Sequence, residues 1–234
     1  MSADLDHLVL DIETIPNPDV DVSMIAEQRH YPAPAHCVVA VSIMHITPSK
    51  VDVLRSIGSP EDDELELLRD VVKELHDTYA GSKIITWGGR YFDFPVMTWR
   101  CMHYGVVAPR LHACVGARFN EWPHLDLVDH MSYFGSTIKP KLLHACQAIG
   151  MPGKSGMDGS MVEAAYDSGR INDIRKYCCF DVLQTGIVAL RWWMTRGVIT
   201  QPTHNCLVKS AVQQGEALGL PVKGWAQRLV VGQG

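Results

Sequence analysis

In "HLVLDIETIP", residues 7–16, the period-two geometry of a strand sends Leu8, Leu10 and Ile12 to one face and Val9, Asp11 and Glu13 to the other. A strand is expected over Leu5–Glu13, followed by a loop with four prolines, Pro16, Pro18, Pro32 and Pro34. "HCVVAVSIMHI" and "KVDVLRSI" read as the second and third strands of an antiparallel meander. "SPEDDELELLRDVVKELHDTY" predicts a helix with Ser59 as N-cap, Pro60 at its first position and acids in its first turn. Its buried stripe is read as Leu65, Leu68, Val72, Leu75 and Tyr79. "SKIITWGG" is a further strand, and "FPVMTWRCMHYG" a helix ending at Gly105. "PKLLHACQAIG" is another helix, and the longest runs from about Asn172 to Arg196 and stops at Gly197. "HNCLVKSAVQQG" is a shorter segment before an irregular tail. Three strands, a helix, a strand and then mainly helices indicate a mixed α/β sheet packed with helices.

Composition agrees with that picture. The chain has 234 residues, 47% hydrophobic and 20% charged, ordinary for a globular protein with a core. No apolar run reaches membrane-spanning length, and "MSADLDHL" has neither a basic region nor an apolar signal core. The seven cysteines are odd in number, lack C-x-x-C spacing and sit mostly in apolar runs, so reduced, buried thiols are expected. These features point to an intracellular, cytoplasmic protein. The net charge of −5 does not exclude a nucleic-acid partner. With four of the 26 acids gathered around metal ions, 22 face 21 bases and the remaining surface is near neutral.

Three acidic signals carry the chemistry. Asp11 and Glu13 share a face at a strand end, where they repel and lose hydration. A basic side chain or a metal ion should lie between them. Asp93, in "TWGGRYFDFP", starts a helix; taken alone it is either a carboxylate at a helix N-terminus or a ligand. Tyr177 and Asp181, in "YCCFD", are four apart and share a helix face; alone, Asp181 reads equally as a solvated residue.

Together the three motifs, D-x-E at a strand end, F-D at a helix start and Y-x-x-x-D in a late helix, resemble the tyrosine branch of the DEDD 3′-to-5′ exonucleases. The chain is similar to the group related to the proofreading domain of family B DNA polymerases. The resemblance runs from about Leu8 to Arg196 and includes "HLDLVDHMSYFG", "LLHACQAIGMPGKSGMDG" and "IRKYCCFDVLQTGIVALRW". It implies an α/β ribonuclease H-like fold, a mixed five-stranded sheet flanked by helices, over residues 1–197, with 198–234 a C-terminal helical segment and tail. It implies that Asp11, Glu13, Asp93, Tyr177 and Asp181 are catalytic, and that the four carboxylates hold two Mg²⁺ or Mn²⁺ ions. Asp11, Glu13 and Asp181 would hold the ion that activates water, Asp11 would bridge to the second, and Asp93 would act through ordered water. Tyr177 would orient the attacking water, since a phenol with a pKa near about 10 is a poor base at neutral pH. Substrate contacts would fall to Thr14, Ile15, Gly88, Phe92 and Lys154. Gly88 stands where the family usually has an asparagine, so one polar substrate contact is missing. The partner implied is the 3′ end of a single-stranded nucleic acid, because the terminal base must leave its stack to reach the cleft. DNA is favoured and RNA stays open, since no motif reports on the 2′-hydroxyl. A second reading is a nuclease-fold module that holds 3′ ends without cutting, and Gly88 is the feature that points to it.

"AIGMPGKSG" ends like a phosphate-binding loop, but Ala148 replaces the first glycine and a helix precedes it where a strand is required. Lys154 also fits a solvated loop lysine. Glu13 breaks the D-x-D of aspartate-nucleophile phosphatases. The eleven histidines show no ligand spacing and read as packing or surface residues. Trp192 and Trp193 are candidates for stacking bases, but at the end of an apolar helix core packing is the favoured reading. Asp126 and Asp129 read as capping or supporting residues, with an approach of Asp126 to the site as the alternative.

Overall fold

The computed structural model describes residues 5–23, 31–116, 119–152 and 156–232. Five strands form one sheet in the order β3-β2-β1-β4-β5: β1 (His7–Pro16), β2 (His36–Ile46), β3 (Val51–Ser56), β4 (Lys83–Thr86) and β5 (His124–Asp126). The meander β1–β2–β3 is antiparallel as expected, and β4 and β5 add in parallel on the other side of β1. The fold is the mixed α/β, ribonuclease H-like sheet that the motifs implied.

β1 is central and buried on both faces, and its alternation sorts residues between two layers. Leu8, Leu10 and Ile12 pack with Leu68 and Val71 of α1 (Glu64–Lys73) and with Phe94 and Met97 of α2 (Asp93–Tyr104). Val9 faces the opposite layer, with Leu183 and Ile187 of α7 (Ile171–Thr195) and Leu207 of α8 (Gln201–Ala217). α7 lies close on the sheet because Gly186 has no side chain: a Cβ there would stand 1.8 Å from Met44 Cε and 3.5 Å from Val9 Cγ2.

Several local expectations are corrected. α1 is capped by Asp63, not Ser59. The Glu66 amide donates to Asp63 Oδ1 at 2.9 Å and the Asp63 amide to Glu66 Oε2 at 3.2 Å, a reciprocal pair that Ser59 lacks. The stripe is Leu67, Leu68, Val71, Leu75 and Tyr79, with Leu65 and Val72 only half-buried. Both stripes are compatible with the apolar spacing, and the position of the sheet selects between them. The expected irregular tail contains α9 (Trp225–Leu229), whose Trp225 packs on Phe180 of α7 with ring centroids 5.5 Å apart. Short helices α3 (Pro109–Val115), α4 (Leu127–Met131), α5 (Leu142–Ala148) and α6 (Val162–Asp167) complete the order. All seven cysteines are free, and five are buried. Among the described residues, no helix is long and apolar enough to cross a membrane.

Candidate active site

The C-terminal half of β1 carries the first two acids. Asp11 and Glu13 share the face that meets α7, and Cys178 of α7 stands against them. One ligand atom from each of the three lies within 4.8 Å of the others. The Cys178 thiol donates to the Asp11 carbonyl at 3.3 Å and lies 3.9 Å from its Oδ2. Burial, and then the charges of Asp11 and Glu13, push that thiol well up, so it stays protonated and acts as a donor. One turn apart on α7, Tyr177 and Asp181 share a face, and their side chains are hydrogen-bonded. Burial raises the Tyr177 phenol above its usual range, and Asp181, Glu13 and Asp11 raise it further.

Asp93 lies outside the Asp11–Glu13–Cys178 cluster. It is the first residue of α2; the capping position is Phe92, which makes no side-chain cap. Continuing the β1–β4 register from Val9↔Ile85 places the loop after β4 level with Asp11. Asp93 is 4% exposed. Burial, and then repulsion from Asp126, raise its carboxyl well above the usual range. Its Oδ2 is buried with no hydrogen-bond partner among the described residues.

Asp126 is a clamp rather than a ligand in this arrangement. Its Oδ1 accepts from the amides of Gly88 at 3.0 Å and Val128 at 3.1 Å, and its Oδ2 from the amide of Arg90 at 3.0 Å. It thereby caps α4 and pins the 88–90 loop that leads into α2, in line with the capping role read from the sequence. Gly88 has φ +88, which favours glycine. A Cβ there would also meet the Tyr91 ring at 3.2 Å. Below the loop, the Gly89 amide donates to Thr86 Oγ1 at 3.0 Å, and the Thr86 hydroxyl donates to His124 Nε2 at 2.7 Å. His124 Nδ1–H donates to the Cys114 carbonyl at 3.1 Å. Burial pushes His124 down to about 3, so its ring is neutral and this tautomer fits both bonds. Asp129 pairs with Arg90 at 3.3 Å and Lys139 at 3.4 Å.

A cleft of about 730 Å³ opens beside Glu13, and Thr14, Ile15 and Phe92 line it. Gly88 is not on its wall, and Lys154 lies outside the described residues. Sequence reasoning missed His36 and Lys141, which also line it. His36 Nδ1 meets Thr14 Oγ1 at 3.0 Å, and its ring stands edge-on to Phe92 with centroids 5.1 Å apart. The signal for His36 is its pairing with Pro16 across β1 and β2, which depends on a bulge opposite Glu13 and Thr14. A second hollow of about 420 Å³ has Tyr177 and Lys176 on its wall.

A mixed five-stranded sheet in this order, flanked by helices, is the ribonuclease H-like fold, and here its central strand carries the two acids in its C-terminal half. Residues 28–216 match the model of a family described as "predicted 3′-5′ exonuclease related to the exonuclease domain of PolB", and the chain belongs to that family. The match takes in Asp93, Tyr177 and Asp181 but begins after β1. A family B DNA polymerase from the hyperthermophilic archaeon Pyrobaculum calidifontis is similar in structure, with a TM-score of 0.59 and 16% identity over 97% of this chain. The chain spans 29% of that polymerase, and at this identity the likeness shows the fold. Among curated proteins, none matches the chain.

Proposed function

We propose that the protein is a divalent-metal-dependent 3′-to-5′ exonuclease that hydrolyses phosphodiester bonds at the 3′ ends of single strands, DNA by preference. The observation that carries this reading is the cluster of Asp11, Glu13 and Cys178, with ligand atoms within 4.8 Å of one another, set against the stretch of α7 that bears Tyr177 and Asp181. The donor set fits a metal. Carboxylate oxygens suit Mg²⁺ or Mn²⁺, and the orphaned Oδ2 of Asp93 is a buried acceptor that a cation would satisfy. Asp11, Glu13 and Asp181 would hold one ion, and Asp11 with Asp93 a second. Bound there, the ions would supply charge stabilisation to the phosphate and lower the pKa of water.

The remaining work belongs to the chain. Tyr177, held protonated, donates a hydrogen bond and cannot act as a base near neutral pH. Its role is to orient the attacking water. Cys178 fixes Asp11 by donating to it. Asp126 holds the 88–90 loop so that α2 presents Asp93 at the site. Phe92, Thr14 and Ile15 line the cleft next to Glu13, where an unstacked terminal nucleotide fits. Gly88, at the position of the family's usual asparagine, favours a second reading in which the protein holds 3′ ends and cuts weakly or not at all. Incubating a 5′-labelled single strand with Mn²⁺ separates the two: shortening from the 3′ end supports the enzyme, and binding without product supports the module.

A further inference from the structure

On the β5 side of the molecule, an aromatic strip of exposed Tyr91 and Tyr133 and half-buried Phe134 and Trp192 leads away from the site. It begins at Tyr91, two residues before Asp93, whose ring centre lies 3.7 Å from the Lys139 ammonium. It continues on the loop after α4, where Tyr133 is 71% exposed. Phe134 meets the His130 ring at 4.8 Å between centroids, and His130 meets Trp192 of α7 at 5.3 Å. Arg196 lies over Trp192 at 4.3 Å. Trp192 is therefore only partly core, unlike the buried Trp193 beside it.

Two further features mark the strip. Tyr133 and Phe134 have φ +49 and +57, the left-handed region that bulky residues rarely adopt. Glycine or asparagine would make the same turn at lower cost, so the turn alone does not call for two aromatic rings. The charge is also local. Arg90, Lys139 and Arg196 pair along this face with two acids, Asp129 and Glu121. The strip thus carries positive excess on a chain of net −5.

We propose that this strip carries the unpaired strand upstream of the 3′ end, a proposal that rests on the exonuclease reading of the site and extends it. Bases stack on Tyr133, Phe134 and Trp192, and Lys139 and Arg196 meet phosphates. Aromatic faces interleaved with cations suit single strands, because every base has a π-face and every linkage a negative charge. α7 runs antiparallel to β1, with Cys178 at Asp11 and Trp193 at His7. At a strand rise of about 3.3 Å and a helix rise of about 1.5 Å per residue, the strip extends roughly 13–22 Å from the level of the site. That length holds about four to six stacked nucleotides at about 3.4 Å each.

The test is fluorescence anisotropy with the full chain, Ca²⁺ in place of Mn²⁺, and labelled single-stranded DNA of 12 and 3 nucleotides. Wild type should prefer the 12-mer. Tyr133→Asn, which keeps the left-handed turn without the ring, should lose about fivefold or more of that preference, one stack's worth. Tyr133→Phe should retain it. Equal preference in wild type and Tyr133→Asn overturns the proposal, as does a wild type that binds both lengths alike, and the strip is then left to a protein partner. Cleavage in Mn²⁺ is scored separately: length preference without cleavage refutes the exonuclease reading and leaves the strip, and cleavage without length preference refutes the strip alone.

Discussion

Asp93→Asn should stabilise the metal-free protein while abolishing cleavage. The carboxyl is buried, repelled by Asp126, and left with one oxygen unpartnered. Its folded pKa lies above the unfolded value. At pH above about 3.9 the unfolded state therefore ionises more readily, and the fold loses stability as pH rises from there through the folded pKa. An orphaned buried polar group costs about 1–3 kcal/mol, and more when charged. Asparagine removes the charge but keeps a buried amide, so a gain of about 1–2 kcal/mol is expected. For a chain of this size that is a rise in Tm of roughly 2–8 °C. Differential scanning calorimetry in chelator, at pH 5 and pH 8, reads it, and the gain should be larger at pH 8. Saturating Mn²⁺ should raise the wild type by about 2.7 kcal/mol at a hundred times Kd, and the variant by much less. A variant that melts lower than wild type in chelator at pH 8, with the same response to Mn²⁺, would refute the assignment of Asp93 to a cation.

Tyr177→Phe removes the hydroxyl that meets Asp181; single-turnover cleavage should slow roughly ten- to a thousandfold, about 1.4–4 kcal/mol of barrier, with metal affinity kept, and an unchanged rate would make Tyr177 a packing residue. Asp126→Ala strands three amides that now donate to it; at about 1 kcal/mol or more each it should cost at least about 3 kcal/mol in urea denaturation and lower cleavage as well, and a wild-type midpoint would contradict the clamp. His124, pushed down to about 3, should show no ring titration by NMR between pH 5 and 8. Its contribution to stability is complete above the unfolded value of about 6.5 and declines as pH falls below it, by up to about 1.4 kcal/mol per pH unit.

The face of each residue on β1 was legible because period two leaves no freedom: the split between Leu8, Leu10, Ile12 and Val9, Asp11, Glu13 follows from alternation alone. The shared face of Tyr177 and Asp181 was legible for the same reason on a helix. β5 was not read as a strand, because three residues are too few to show a period. The clamp of Asp126 was hidden because its distant partners are backbone amides 36 and 38 residues away, which leave no mark in side-chain identity. His36 was hidden by a bulge that resets the β1–β2 register. Cys178 sat within a motif that was read for its tyrosine and aspartate, and the helix turns it onto Asp11.

Under the proposed function, Asp11 and Glu13 on β1 make this fold a metal-dependent nuclease. A 5′-labelled single-stranded DNA, incubated with Mn²⁺ and sampled over time, should yield a ladder that shortens from the 3′ end with wild type. It should stay intact in chelator and with Asp11→Ala, provided circular dichroism shows that variant folded. Full activity in chelator, a wild-type rate for Asp11→Ala, or no product from wild type on either DNA or RNA strands would contradict the account.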